Sequence, residues 1–301
     1  MPPAARPRRS VLYMPGSNAR ALDNGRKLPA DALILDLEDS VAPDAKESAR
    51  AQVAAAIAAG GYGGREIVLR VNGLDTPWGE ADLAAAGGAD AVLLPKVESA
   101  DTVRRADALL SKAGLSKTGA AGVGIWCMME TPLGILRAEA IAFASPRMAG
   151  FVMGTSDLAK DLHCAHTRDR LPMITSLGLA LLAARAAGIA ILDGVHLDLN
   201  DALGFEQACR QGAELGFDGK TLIHPKQIDP ANRAFAPSAA EVAWSRKIIA
   251  AHAAADRAGQ GVVLVDGKLI ESLHVENAQR LVALADAVAA LEADAATKAG
   301  G

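Results

Sequence analysis

Cysteine is scarce in this chain of 301 residues. Cys127, Cys164 and Cys209 are odd in number, scattered and without a CxxC pair, which excludes a disulfide framework and a zinc knuckle and points to a reducing cytoplasm. Aromatic residues are also few, at 3% against 50% hydrophobic residues overall. The core is therefore aliphatic, and large enough for one big α/β domain or two smaller ones. No excess of one charge is present: 31 basic side chains face 35 acidic ones, for a net charge of -4. Such a chain has no global field with which to hold nucleic acid or an anionic membrane, so its substrate must be read by local chemistry. A long apolar run is missing as well. The basic, proline-rich start "MPPAARPRR" passes straight into "SVLYMPGS", without a stretch of signal-peptide or membrane-span length. Residues 1–9 read as a disordered arm. Neither GxGxxG nor GxxxxGK[ST] occurs, and "YMPGSNAR" resembles a phosphate-cradling loop only loosely.

What is present is a repeated alternation. Short branched runs, separated by alanine-rich stretches of helical spacing, begin at Ser10, Ala32, Glu66, Ala91, Gly122, Gly150, Ala190 and Asp218. Strand and helix in alternation mean a parallel sheet. Eight units over residues 10–230 suit a closed (β/α)8 barrel of the TIM type, whose usual length is ~250 residues; a doubly wound open sheet is the rival. After "HPKQIDPANRAFAPS" the pattern changes. Ser238 opens a helix to about Ala258, "GVVLVDGKLIES" reads as a hairpin about Asp266 and Gly267, and Val275 to Leu291 forms a second amphipathic helix. Residues 231–301 are thus a helix-hairpin-helix extension whose apolar faces pack on their own barrel or on a neighbour's.

Runs two to eight each reach a polar side chain near their carboxyl end: Glu38 with Asp39, Arg70, Lys96, Glu130, Asp157, Asp193 and His224. In a parallel barrel those ends share one face, where active sites are built. Glu130 and Asp157 end neighbouring runs, and two like charges at one mouth need a cation or a shared proton. Without HxxxH or a cysteine cluster, an oxygen-liganded Mg2+ held by these two carboxylates, substrate and water is the expectation. The alternative is a pair of helix caps, since "SDLAKDL" looks like a helix start. Arg70 lies among Val68, Leu69 and Val71, an expensive position for a charge unless it meets an anion; its planar fork suits a carboxylate or enolate, or an ion pair with Glu38 or Asp39. Lys96 is read as a charge beside the substrate, with a Schiff base as the alternative. His163, His166, His196, His252 and His274 show no ligand spacing.

Taken together, "RSVLYMPGSNARAL", "ADALILDLEDSVAPDAKESAR", "LRVNG", "VLLPKVES", "METPLGIL", "GTSDLAKDL" and "DGKTLIHPKQIDPANRAFAPS" resemble the citrate lyase beta subunit and malyl-CoA lyase branch of the HpcH/HpaI aldolase family, from Arg9 nearly to the carboxyl end. The resemblance implies a Mg2+-dependent barrel lyase that splits a 3-hydroxyacyl-CoA thioester into acetyl-CoA and a 2-oxo acid. It also implies a homotrimer or hexamer, in which the extension of one subunit covers the mouth of the next. By position, Glu130 and Asp157 match the family's metal ligands. Arg70 matches the arginine that holds the thioester and oxo-acid oxygens, and Glu38 and Asp39 match the acids that orient that arginine and the metal's waters. Tyr13, Arg20, Lys27 and the Pro225 region correspond to the CoA-contacting surface. One departure stands out: where relatives carry a catalytic Asp in the tail hairpin, this chain has Glu271. Two rivals follow: an aldolase acting on free hydroxy-oxo acids, and a subunit of a larger citrate lyase assembly that needs an acyl-carrier partner. The sequence leaves open the oxo acid, the direction of flux and a following thioesterase step.

Overall fold

The eight branched runs form eight parallel strands in the computed structural model, which describes residues 6–115, 122–257 and 261–299. They are β1 (Ser10–Pro15), β2 (Ala32–Asp36), β3 (Glu66–Arg70), β4 (Ala91–Leu94), β5 (Gly124–Met129), β6 (Met148–Met153), β7 (Ala190–Asp193) and β8 (Gly219–Leu222). Each pairs with its neighbours in sequence, and β8 closes on β1 to complete the barrel. The architecture is the (β/α)8 barrel read from the alternation.

Residues along each strand alternate between two apolar environments. Val11, Ile34, Val68, Leu93, Trp126 and Val152 fill the barrel interior. Their neighbours Leu12, Leu33, Leu69, Leu94, Cys127 and Met153 pack outward against the helices. Both layers are dry, as expected for strands covered on both faces. The lower end of the interior is closed by ion pairs. Arg8 grips Glu66 at 2.5 and 2.8 Å and lies over Trp126, 5.3 Å from its ring centre. Arg9 meets Asp31 at 2.9 Å. Residues 8 and 9, expected to end a disordered arm, are therefore fixed to the barrel, because two buried acids on β3 and before β2 require cationic partners. Residues 1–5 of that arm lie outside the described residues.

The chain divides into two compact units, one of Arg8–Phe235 and one of Met1–Pro7 with Ala236–Gly301. The boundary expected after residue 230 moves to 235. The helix Ile228–Phe235 belongs to the barrel because Ile228, Ala231 and Phe235 are buried in its outer core. In the second unit, Ser238 and Glu241 make reciprocal side-chain to backbone hydrogen bonds ahead of the helix Ala239–Arg257, a capping box; Ala258 lies outside the described residues. Strands β9 (Val263–Val265) and β10 (Lys268–Ile270) pair antiparallel. They are joined through Asp266 and Gly267, both at positive φ (48° and 76°), as a two-residue hairpin turn demands. The helix Ser272–Ala299 follows. A small core of Ile248, Val265, Ile270 and Ala278 holds these elements together. Among the described residues, no helix is long and apolar enough to cross a membrane.

Candidate active site

Asp36 ends β2 on the inward face shared by Ala32 and Ile34, and the strand register sets it beside Arg70 at the end of β3. Arg70 donates from Nε to one Asp36 oxygen at 2.6 Å and from Nη2 to the other at 2.7 Å, a two-pronged grip. Its Nη1 donates to Asp39 at 3.2 Å and lies 2.8 Å from Glu38 Oε2. That contact is ionic but poorly aligned, so Glu38 Oε2 is buried without a hydrogen-bond donor. Beneath the guanidinium lies the ring of Tyr13, 4.9 Å away, placed for a cation–π contact. The Tyr13 hydroxyl donates to Met128 Sδ at 3.4 Å. Tyr13 thus sits inside the barrel under Arg70, since Val11 and Tyr13 alternate inward along β1.

Burial alone would raise the Asp36 carboxyl, but hydrogen bonds and charge from Arg70 outweigh it and hold Asp36 below its ordinary value. Burial likewise works against the Arg70 cation, and Asp36 more than compensates. For Glu38 burial prevails: its carboxyl is raised despite Arg70 and Lys96. The segment after β2 is fixed by side chains outside the cavity. The Lys46 ammonium donates to the carbonyls of Leu37 and Glu38 at 2.8 and 2.7 Å, and Asn72 Nδ2 donates to Leu37 at 2.9 Å.

Lys96, just past β4, has φ 48°, uncommon for a residue with a Cβ and typical of functional sites. This turn aims its N–H at Glu130 Oε1, 2.8 Å away. Its ammonium donates to Glu38 Oε1 at 2.9 Å. Burial would lower the Lys96 ammonium, yet its bond to Glu38 brings the net shift upward. A lysine held as a cation is not poised to form an imine.

Glu130, just past β5, is 3% exposed. Burial pushes its carboxyl up to about 7, the Lys96 N–H opposing and the charges of Glu38 and Asp157 adding to the rise. Its close seat depends on Gly154 at the end of β6: a Cβ there would lie 2.4 Å from both Glu130 Cβ and Glu130 Oε2. Asp157 follows in the first turn of the helix Thr155–Asp161, whose N-terminus has no side-chain cap. The expected alternative, Asp157 as a capping acid, is therefore not realised. Its carboxylate is half-exposed and 3.3 Å from Lys160.

Arg70, Glu130 and Asp157, with Asp36 and Asp39, line one cavity of about 450 Å³. Three of the seven strand ends are outside that lining; Lys96 still touches the site through Glu130 and Glu38, whereas Asp193 and His224 do not. Asp193 alternates with Leu192 and so faces the helix layer, locked between Arg170 at 2.6 Å and Lys220 at 2.9 Å. His224 is exposed and caps the turn Pro225–Gln227, its Nδ1 accepting from Lys226 N at 3.1 Å. Arg20, Lys27 and Pro225 are exposed and outside the described lining of the cavity. Glu271 lies in the C-terminal unit between β10 and the last helix, its N–H donating to His274 Nδ1 at 3.1 Å. Asp36, Lys46 and Asn72 had not been singled out from sequence. For Asp36 the signal was there, in the inward phase of Ala32, Ile34 and Asp36.

The donor set suits a hard divalent cation. Glu130 and Asp157 supply carboxylate oxygens, and Glu38 Oε2 lacks a donor that a cation's water would provide. Among the described residues no three His, Cys, Asp or Glu gather into a metal cage. Mg2+ characteristically takes only one or two protein carboxylates and completes its shell with water and substrate.

The match to the family model for HpcH/HpaI aldolase/citrate lyase spans residues 9–225, and the chain belongs to that family. It is 48% identical over 291 residues to a (3S)-malyl-CoA thioesterase of Cereibacter sphaeroides, covering 96% of this chain and 98% of that protein. It is 39% identical to citrate lyase subunit beta of Escherichia coli, covering 93% of this chain and 94% of that one. Among solved structures, CitE of Mycobacterium tuberculosis in complex with magnesium, acetoacetate and coenzyme A superimposes with a TM-score of 0.71 at 29% identity. That match covers 95% of this chain and all of the other.

Proposed function

We propose that this protein is a Mg2+-dependent lyase that cleaves a 3-hydroxyacyl-CoA of the citryl-, malyl- or citramalyl-CoA class into acetyl-CoA and a 2-oxo acid. The observation that carries the reading is an arginine locked in place by Asp36 at the same cavity as two carboxylates, Glu130 and Asp157, with room for a cation. The magnesium-bound CitE and citrate lyase beta structures support it.

Glu130 and Asp157 would hold the ion, which when bound supplies Lewis-acid stabilisation of negative oxygen. The chain's own residues do the rest. Arg70, its fork fixed by Asp36 and its face by Tyr13, presents positive charge to the oxygen that becomes negative as the carbon–carbon bond breaks. Such preorganised charge requires no rearrangement at the moment of reaction. Glu38 and Asp39 hold the Nη1 edge of Arg70 and orient water. Lys96 fixes Glu130 through its N–H and Glu38 through its ammonium. The hydroxyl proton leaves to a cavity carboxylate, and the bonding electrons pass to the thioester α-carbon. That carbon is then protonated by Glu271 of a neighbouring subunit, in a homotrimer or hexamer whose C-terminal extension covers the mouth.

A second reading is hydrolysis of the thioester, favoured by the identity to (3S)-malyl-CoA thioesterase along nearly the whole chain. One assay separates the two. Purified protein is given citryl-, malyl- and citramalyl-CoA with Mg2+ or with EDTA, and acetyl-CoA and free CoA are followed. Lyase activity releases acetyl-CoA and stops in EDTA. Free CoA with an intact hydroxy acid means thioester hydrolysis, and activity that survives EDTA overturns the metal assignment.

A further inference from the structure

The loop after β2 wraps one carboxylate. Its N–H groups turn inward to Asp36: Glu38 N donates to Oδ1 at 2.9 Å and Ser40 N to Oδ2 at 3.1 Å. Its carbonyls turn the other way. Those of Leu37 and Glu38 meet the ammonium of Lys46, the first residue of the helix Lys46–Ala59, at 2.8 and 2.7 Å. The carbonyl of Leu37 and the N–H of Glu38 belong to one peptide unit. A continuous line of hydrogen bonds thus runs from the Lys46 ammonium through that peptide to Asp36, and from Asp36 into the fork of Arg70 at 2.6 and 2.7 Å. Leu37 N ties the loop back to the Arg70 carbonyl at 2.9 Å.

Both carbonyls that Lys46 serves have a second donor: Leu37 takes Asn72 Nδ2 at 2.9 Å, and Glu38 takes Val41 N at 3.1 Å. Neither would be orphaned without the lysine, so hydrogen-bond satisfaction alone does not call for an ammonium here. Lys46 is also 6% exposed, with the Trp78 ring centre 5.6 Å from its nitrogen. Among the described residues no carboxylate touches it. A buried cation without an ion-pair partner is expensive. This one lies along the dipole of the Leu37–Glu38 peptide, carbonyl toward the ammonium and N–H toward the Asp36 carboxylate. In that order the hydrogen bonds of a chain polarise and strengthen one another.

We propose that Lys46 is a positioning residue for the carbon–carbon cleavage: its charge, acting through the Leu37–Glu38 peptide, fixes the Asp36 carboxylate and thereby holds the Arg70 guanidinium at the reacting oxygen. Lys46 itself is outside the lining of the cavity. The inference rests on the lyase reading above and deepens it.

The test is a mutant cycle on the full-length protein with one readout independent of turnover. Lys46→Met keeps the length of the stem and removes the charge. With both carbonyls still served by Asn72 and Val41, the protein should fold, its thermal midpoint within ~10 °C of the parent's. At saturating Mg2+, kcat for the CoA ester should fall ~10-fold or more with KM within ~3-fold of the parent's. Added to Arg70→Lys, where the fork is already gone, Lys46→Met should cost less than ~3-fold further. By NMR, the Arg70 Nε proton, identified by its loss in Arg70→Lys, should exchange with water at least ~10-fold faster in Lys46→Met. An unchanged kcat overturns the proposal, as do losses that multiply in the double variant, which would mean that Lys46 acts independently of Arg70. If the parent cleaves no CoA ester, the lyase reading falls and proton exchange decides alone: faster exchange sustains the positioning role. Unchanged exchange overturns it in either case. Should Lys46→Met not fold, Lys46→Gln, which keeps a neutral donor, carries the same measurements with the same outcomes.

Discussion

Asp36 and Arg70 lie side by side across the register of β2 and β3 and are joined by two hydrogen bonds of 2.6 and 2.7 Å. Both are at least nine-tenths buried, so each depends on the other for its charge. Removing one partner of such a pair leaves an uncompensated buried ion. Asp36→Ala should therefore lower the unfolding free energy by about 3–5 kcal/mol, measured by urea denaturation. Arg70→Lys keeps the charge and loses the fork; kcat should fall ~10²–10³-fold with the fold intact by circular dichroism.

Gly154 is required by space. A methyl group there would lie 2.4 Å from Glu130 Cβ, so Gly154→Ala should displace the Glu130 carboxylate. The expected outcome is a Mg2+ affinity at least ~10-fold weaker by calorimetry, in line with the effect of disturbing a metal ligand's support. Unchanged affinity would remove Glu130 from the ligand set.

Glu38 joins Lys96 to Arg70. Glu38→Gln keeps the shape and loses the charge, which should weaken Mg2+ binding or turnover by ~10–100-fold while thermal stability stays near that of the parent. Borohydride should trap no adduct at Lys96, whose ammonium is engaged by Glu38.

Asp193 gives the acid limb of stability. Burial alone would raise its carboxyl, but Lys220 and then Arg170 bring it below the usual 3.8. A carboxyl depressed in the folded state binds its proton more readily when unfolded. It therefore adds stability that is fully present above about pH 4 and is lost as the pH falls through the folded value. Urea midpoints of the parent should decline over that window. Asp193→Asn should start lower at neutral pH, with Lys220 and Arg170 left uncompensated, and show a shallower decline.

The eight strands are legible because each is a branched run between alanine-rich helices, and the carboxyl-end rule points to Glu130, Asp157 and Arg70, which line one cavity. Direction was harder to read. Asp193 and Glu130 look alike in a list of strand ends, yet one faces the helices and the other the cavity, because the two differ in phase relative to Leu192 and Met129. The same phase rule would have picked Asp36 as the partner of Arg70 ahead of Glu38 or Asp39. Lys46 and Asn72 were out of reach, since their roles are to satisfy carbonyls that only the folded loop after β2 exposes. Arg8 was hidden by its proline-rich surroundings, and its partner Glu66 begins a strand far along the chain.

Closure of the barrel joins Ser10 in β1 to Lys220 in β8, which sets a timetable for synthesis. On the ribosome, the chain through Asp157 emerges with Arg70 and every carboxylate that lines the cavity already made, while β7, β8 and the seam that completes the ring are still to come. Contacts of such long sequence separation form late, and until they do the first strand presents an open edge. A growing chain arrested before residue 222 would therefore carry the charged half of its site on an unsealed sheet, the species most in need of a chaperone.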